Sequence, residues 1–170
     1  MIKRNELPDK ITEDYFTLEG TPVTRKIVMV DELEYEVSFS SKSNMASVGC
    51  ATENIESITE AKIKSHIQIG TSMIPVIVVQ MGAFRGCKNL QTVDIQNGIE
   101  KIYAGAFADC ISLEEVYLPD SLEYLGFGVF SGCINLKKVS LPDTCVINGD
   151  PFAGCNLGHL SIEKRTTEPN

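Results

Sequence analysis

Six cysteines, two histidines and several adjacent carboxylates are the side chains of this 170-residue chain that could do chemistry. Four of the cysteines recur at a fixed step: Cys87, Cys110 and Cys133 are 23 residues apart, and Cys155 follows after 22. Thiols in such a series could be metal ligands, disulfide partners or a packed column. No Cys-x-x-Cys pair occurs, which removes the usual zinc and redox spacings. If one cysteine falls on each turn of a repeating structure, neighbours lie about 5 Å apart at both Cα and Cβ, whereas a disulfide prefers Cβ atoms about 3.8 Å apart. The four are therefore expected to be reduced and buried, behaving as small apolar side chains. Cys50 and Cys145 stand outside the series, with no role assigned by the sequence.

His66 and His159 stand in no frame with a nucleophile, and no HExxH, phosphate-loop, dinucleotide or EF-hand pattern occurs. His159 is expected to be solvated on the outer face of the last strand. Acidic pairs such as Glu114–Glu115 read as surface charge, because a two-carboxylate hydrolase needs a cleft that nothing in the sequence supports. No catalytic residue, metal or cofactor is expected.

The same step runs through whole segments. GAFRGCKNLQTVDI, GAFADCISLEEVYL and GVFSGCINLKKVSL are copies, and PFAGCNLGHLSI is a worn fourth. A repeat of this length cannot bury its own apolar face and must stack on its neighbours, so the chain reads as a solenoid. Each repeat divides into a strand, a turn and a return. The strand is Leu-x-x-Val-x-(Ile/Leu), as at Leu90–Ile95, Leu113–Leu118 and Leu136–Leu141. Val93, Ile95, Val116, Leu118, Val139 and Leu141 point inward and their neighbours outward, giving a parallel sheet with one dry face. The turn is Gln96–Gly98, Pro119–Ser121 or Pro142–Thr144; Pro fixes φ there, and Asp or Asn closes the bend. The return carries Ile102, Leu125 or Ile147, then Phe84, Phe107, Phe130 or Phe152 as the spine of the core. Gly86, Asp109, Gly132 and Gly154 precede the cysteines, as expected of a left-handed backbone position.

Upstream the pattern changes. Residues 1–22 are polar and expected to be loosely ordered, with Tyr15, Phe16 and Leu18 docking. Ile27 and Met29, then Leu33, Tyr35, Val37 and Phe39, alternate around Asp31–Glu32, predicting an antiparallel hairpin. A polar turn from Ser40 leads to a third strand at Met45–Cys50, and residues 51–60 read as an acidic loop. Residues 63–69 read as a degenerate repeat whose insertion forms a small hairpin. Val76–Val79 reads as a strand buried on both faces. Residues 1–80 are thus an N-terminal segment and β cap with a degenerate first repeat, and residues 81–170 are repeats with a C-terminal cap.

Composition sets outer limits. Hydrophobic content of 43% with 22% charged residues is globular, and a net charge of −8 disfavours nucleic acid and anionic membranes as partners. No apolar run reaches the roughly 18 residues of a membrane helix. The N-terminus has no apolar stretch behind its basic start, so no secretory signal is expected in it.

The pattern I-G-x-x-A-F-x-G-C-x-x-L-x-x-V-x-L-P resembles the BspA-like leucine-rich repeats of bacterial surface proteins. Gly82–Cys87 through Leu118–Pro119, and Leu125–Gly126 through Leu141–Pro142, carry the resemblance, and Val30–Val37 is similar to the strand cap that precedes such repeats. The expected fold is an α/β-type repeat solenoid, mostly β: short, right-handed, with a parallel sheet of four or five strands and an antiparallel N-terminal cap. The resemblance implies a non-catalytic recognition or adhesion module that binds a protein or glycan, secreted or at the cell surface. An intracellular interaction scaffold in the cytoplasm is the alternative. The partner is expected to be a protein, host or cell-surface proteins included, bound by a monomer without membrane insertion. The expected site is the outer sheet face: Thr92, Asp94, Glu115, Tyr117, Lys138 and Ser140, centred on Tyr117.

Overall fold

A computed structural model describes residues 10–16, 22–39, 44–50 and 55–166. These form strands joined by turns, and no helix occurs among the described residues, so the solenoid is of β type. Four strands open the chain: β1 (Lys10–Phe16), β2 (Pro22–Val30), β3 (Leu33–Phe39) and β4 (Asn44–Cys50). They pair consecutively and antiparallel. Asp31 (φ 48°) and Glu32 (φ 69°) make the two-residue turn between β2 and β3, whose two left-handed residues match the twist of the flanking strands. Leu33, Tyr35 and Val37 face inward from β3, as their alternation predicts. The expectation of loose order fails at β1, which pairs with β2 from Lys10 to Phe16 across a bulge. Its polar letters hide it, but the free edge of β2 supplies the hydrogen-bonding partner that propensity does not. Leu18 and the turn expected at 40–43 lie outside the described residues.

Two sheets follow, and every turn of the solenoid feeds both. The strands β5 (Glu60–Ile63), β8 (Thr92–Ile95), β10 (Glu115–Tyr117), β12 (Lys138–Pro142) and β14 (Ser161–Arg165) form a five-stranded parallel sheet. The short returns β9 (Lys101–Ile102), β11 (Tyr124–Leu125) and β13 (Val146–Ile147) form a second parallel ladder behind β7 (Ser72–Val79). β4 pairs parallel with β7, so the cap extends this second sheet. β6 (His66–Ile69) pairs antiparallel with β7, the small hairpin expected of the insertion. The repeat frame starts earlier than residue 63: Ile58, Ala61 and Ile63 take the places of Leu90, Val93 and Ile95, because Ala61 pairs with Val93 and Ile63 with Ile95. β7 is not dry on both faces; Ile74, Val76 and Val79 are buried, whereas Ile77 and Val78 stay half-buried because no layer covers them.

The core lies between the sheets. Phe84, Phe107, Phe130 and Phe152 stack in one column, with centroids 5.1, 5.8 and 5.8 Å apart and planes within 9°. Beside them the thiols of Cys110, Cys133 and Cys155 each donate to the carbonyl of the phenylalanine one turn back, at 3.1 Å. None of Cys87, Cys110, Cys133, Cys145 and Cys155 is in a disulfide; the first three are buried, and Cys145 and Cys155 are half-buried. Gly86, Asp109, Gly132 and Gly154 have φ between 61° and 78°, the left-handed geometry expected before each cysteine.

Along the Gly-x-Phe side, backbone donors of one turn reach carbonyls of the next: Gly82 to Ala104, Gly105 to Phe127, and Gly128 to Asp150. In the final turn Pro151 has no donor, and the N–H of Phe152 donates to the Asp150 carboxylate at 2.9 Å. The Asp150 carboxylate thus gives Phe152 what a carbonyl of the following turn gives Phe84, Phe107 and Phe130. Elsewhere that end keeps apolar surface, with Val146 64% and Ile162 46% exposed. His159 is exposed but does not stand on the last strand, which starts at Ser161. Cys155 is seven residues from Ile162 where Cys133 is six from Val139, and the extra residue carries His159 off the strand.

Candidate functional site

The outer face of the five-stranded sheet carries two rows set by strand register. Glu60, Thr92, Glu115, Lys138 and Ser161 form one; Lys62, Asp94, Tyr117, Ser140 and Glu163 form the other. At about 4.8 Å per strand, five strands make a face about 19 Å across. Thr92, Asp94, Glu115 and Tyr117 are exposed and adjacent, and Lys138 is half-buried beside them. The structure therefore brings five of the six expected residues onto one open surface.

Ser140 departs from expectation. Its place in the register is outward, yet it is only 2% exposed. It lies between Tyr117 and Glu163, and Lys138 reaches both: its ammonium is 5.6 Å from the Tyr117 ring centroid and 3.1 Å from a Glu163 carboxylate oxygen. These longer side chains close over the short one. Glu163 takes its place at the surface, and Glu60 and Lys62 extend the face beyond the residues expected. The signal for the last two was readable, since Ile58-x-x-Ala61-x-Ile63 repeats the strand frame.

Tyr117 is held in place. Its hydroxyl donates to Glu115 at 3.0 Å, and its exposure is 51%. Donating that hydrogen bond to a carboxylate pushes the phenol up from its ordinary value, because ionisation would lose the bond and set two negative charges side by side. The hydrogen bond to Glu163 pushes the Lys138 ammonium up in the same way. Both groups therefore keep their protons at neutral pH. The result is a fixed aromatic flanked by carboxylates, the layout of a contact surface.

Beside these rows, where each turn enters its strand, lies an open hollow of about 590 Å³ lined by Gln91, Thr92, Ser112, Glu114, Glu115 and Asn135. It draws on three successive turns. Among the described residues no group of three His, Cys, Asp or Glu converges on a metal-sized site, and no helix is long and apolar enough to cross a membrane.

Residues 53–169 match the family described as BspA type leucine-rich repeat region, in six copies. Among solved structures, a leucine-rich repeat protein from Bacteroides capillosus is 26% identical, with a TM-score of 0.70 over 82% of this chain and 98% of its own. One from Bacteroides ovatus is 22% identical, with a TM-score of 0.64 over 81% of this chain; the match spans only 37% of that protein. A T. pallidum leucine-rich repeat protein is 21% identical, with a TM-score of 0.53 over 73% of this chain and 64% of its own. No curated protein matches the chain.

Proposed function

The chain belongs to the family of BspA-type leucine-rich repeat proteins, and from that premise we propose that it is a non-catalytic recognition module that docks a protein partner on the open face of its five-stranded sheet, at the cell surface. The observation that carries this reading is Tyr117, exposed, braced by Glu115 and standing in register with Asp94. Inward positions repeat the same apolar letters from turn to turn, while outward ones change from Thr92 to Glu115 to Lys138. Such a surface varies without cost to the core, and solenoids bind along surfaces of this kind. A rigid aromatic loses little conformational freedom on binding.

The test is the double substitution Tyr117→Ala with Asp94→Lys. Both residues are exposed, so the melting temperature should stay unchanged. Affinity for a purified partner should fall about 30-fold or more, the loss typical of a truncated hot spot. A variant that binds that partner as tightly as the native domain refutes the sheet face as the site.

A further inference from the structure

The hollow beside the sheet takes in the one position at which a side-chain ladder is interrupted. Two residues after each of three cysteines stand Asn89, Ser112 and Asn135. The Asn89 amide donates to the Glu56 carbonyl and the Asn135 amide to the Ile111 carbonyl, each at 2.7 Å. Each asparagine thus fills the step to the turn before it. Ser112 is too short to span that step toward Lys88, and it lines the hollow instead.

The groups around that space are of one kind. Asn135 has its amide nitrogen engaged by Ile111, so its oxygen remains. Glu114 has one oxygen on Lys137 at 2.8 Å, and Glu115 has one on the Tyr117 hydroxyl, so each keeps a second oxygen. Gln91, Thr92 and Ser112 can also accept. Every lining residue thus offers an acceptor, no apolar side chain lines the hollow, and of its two carboxylates only Glu114 forms a salt bridge, because Lys138 reaches Glu163 and acts on Glu115 through space. The complement is a group with many donors, a delocalised positive charge and little need of an apolar wall. A guanidinium has five donors in a planar fork and is more weakly hydrated than an ammonium.

We propose that this hollow is a slot for an arginine side chain presented by a protein partner, with Glu115 and Asn135 as its principal acceptors. The inference rests on the sheet-face reading and adds the chemistry of the partner. Net charge points the same way, since a chain of −8 attracts a basic partner.

The experiment uses the intact isotopically labelled chain and three probes: argininamide, lysinamide and glucose, each titrated to millimolar concentration. Argininamide should shift the amide signals of Gln91, Ser112, Glu115 and Asn135 in a saturable way, and lysinamide should do so more weakly. Ser112→Asn should restore the ladder, raise the melting temperature and abolish the shifts while leaving both glutamates in place. Glu115→Gln, a substitution on the surface, should weaken them in a chain of unchanged stability. Equal shifts with lysinamide, shifts with glucose alone, or shifts that survive Ser112→Asn would each overturn the slot. Failure here is separable from failure of the sheet face. Partner binding lost with Tyr117→Ala and Asp94→Lys but untouched by Ser112→Asn would remove the slot and leave the face standing.

Discussion

Truncating the middle of the phenylalanine column should damage the protein more than truncating its end. Phe107 is fully buried, with Phe84 stacked at 5.1 Å on one side and Phe130 at 5.8 Å on the other. Phe107→Ala removes the ring and leaves a cavity that two flanking turns, tied by their own ladders, cannot close; the cost is about 3–5 kcal/mol. Phe152 has one stacked neighbour, at 5.8 Å, and 7% exposure. Its loss forfeits one ring pair fewer, about 0.5–1.5 kcal/mol, and the last turn can settle into the gap. Phe107→Ala should therefore exceed Phe152→Ala by about 1 kcal/mol or more. Against a total of about 5–15 kcal/mol for a domain, the central substitution is a large share. Urea titration followed by far-ultraviolet circular dichroism reads both variants. Because a solenoid is held by contacts between neighbours, the central variant should also unfold less cooperatively, with a lower denaturant slope. Equal costs for the two substitutions would show that the column does not transmit stability from turn to turn.

Other perturbations test other parts. Burial pushes the Cys133 thiol far up, and desolvation raises Cys145 and Cys155 as well. The folded chain keeps protons that the unfolded chain releases above the ordinary thiol value of 9.0, so stability should be full below that pH and fall as pH rises past it; urea midpoints at neutral and alkaline pH read this. In the native protein a thiol reagent should reach half-buried Cys145 and Cys155 before Cys87, Cys110 and Cys133, and denaturation should erase that order. Arg165 donates to the Leu118 carbonyl and pairs with Asp120 at 3.1 Å, so Arg165→Met should cost about 1 kcal/mol and speed amide exchange in β14. A Cβ at Gly126 would meet the Ala104 nitrogen at 2.7 Å, so Gly126→Ala should cost about 1–3 kcal/mol in the same urea assay.

The parts legible in the sequence are those in which one inward letter returns every turn. Phe84, Phe107 and Phe130 read as a column because each must meet the next, and Val93, Val116 and Val139 read as a dry sheet face for the same reason. The second parallel ladder was not legible, since Lys101–Ile102 and Tyr124–Leu125 are too short to show a period. β1 was missed because pairing, not side-chain pattern, makes it a strand. At the candidate site, alternation set the direction of Tyr117 and Asp94, but it cannot see that Lys138 and Glu163 meet over Ser140. That closure depends on side-chain length across three strands, which no single-strand pattern contains. The hollow escaped for a related reason: it gathers side chains from three successive turns, Gln91, Ser112 and Asn135 among them.

The way the Gly-x-Phe ladder ends separates growth from termination. Every inner turn leaves donors that only another turn can meet, so it is an instruction to continue. In the last turn the Asp150 carboxylate answers one of those donors, the N–H of Phe152, from within the turn itself. A 23-residue block such as Gly105–Phe127 can therefore be copied in place, with the same carbonyls and donors at its borders and both ends of the protein untouched. Each copy would add one strand, and about 4.8 Å, to the width of the sheet face. The reach of this surface is thus a counted quantity, changed in whole steps by duplication, while its chemistry is set separately by the outward letters of each copy.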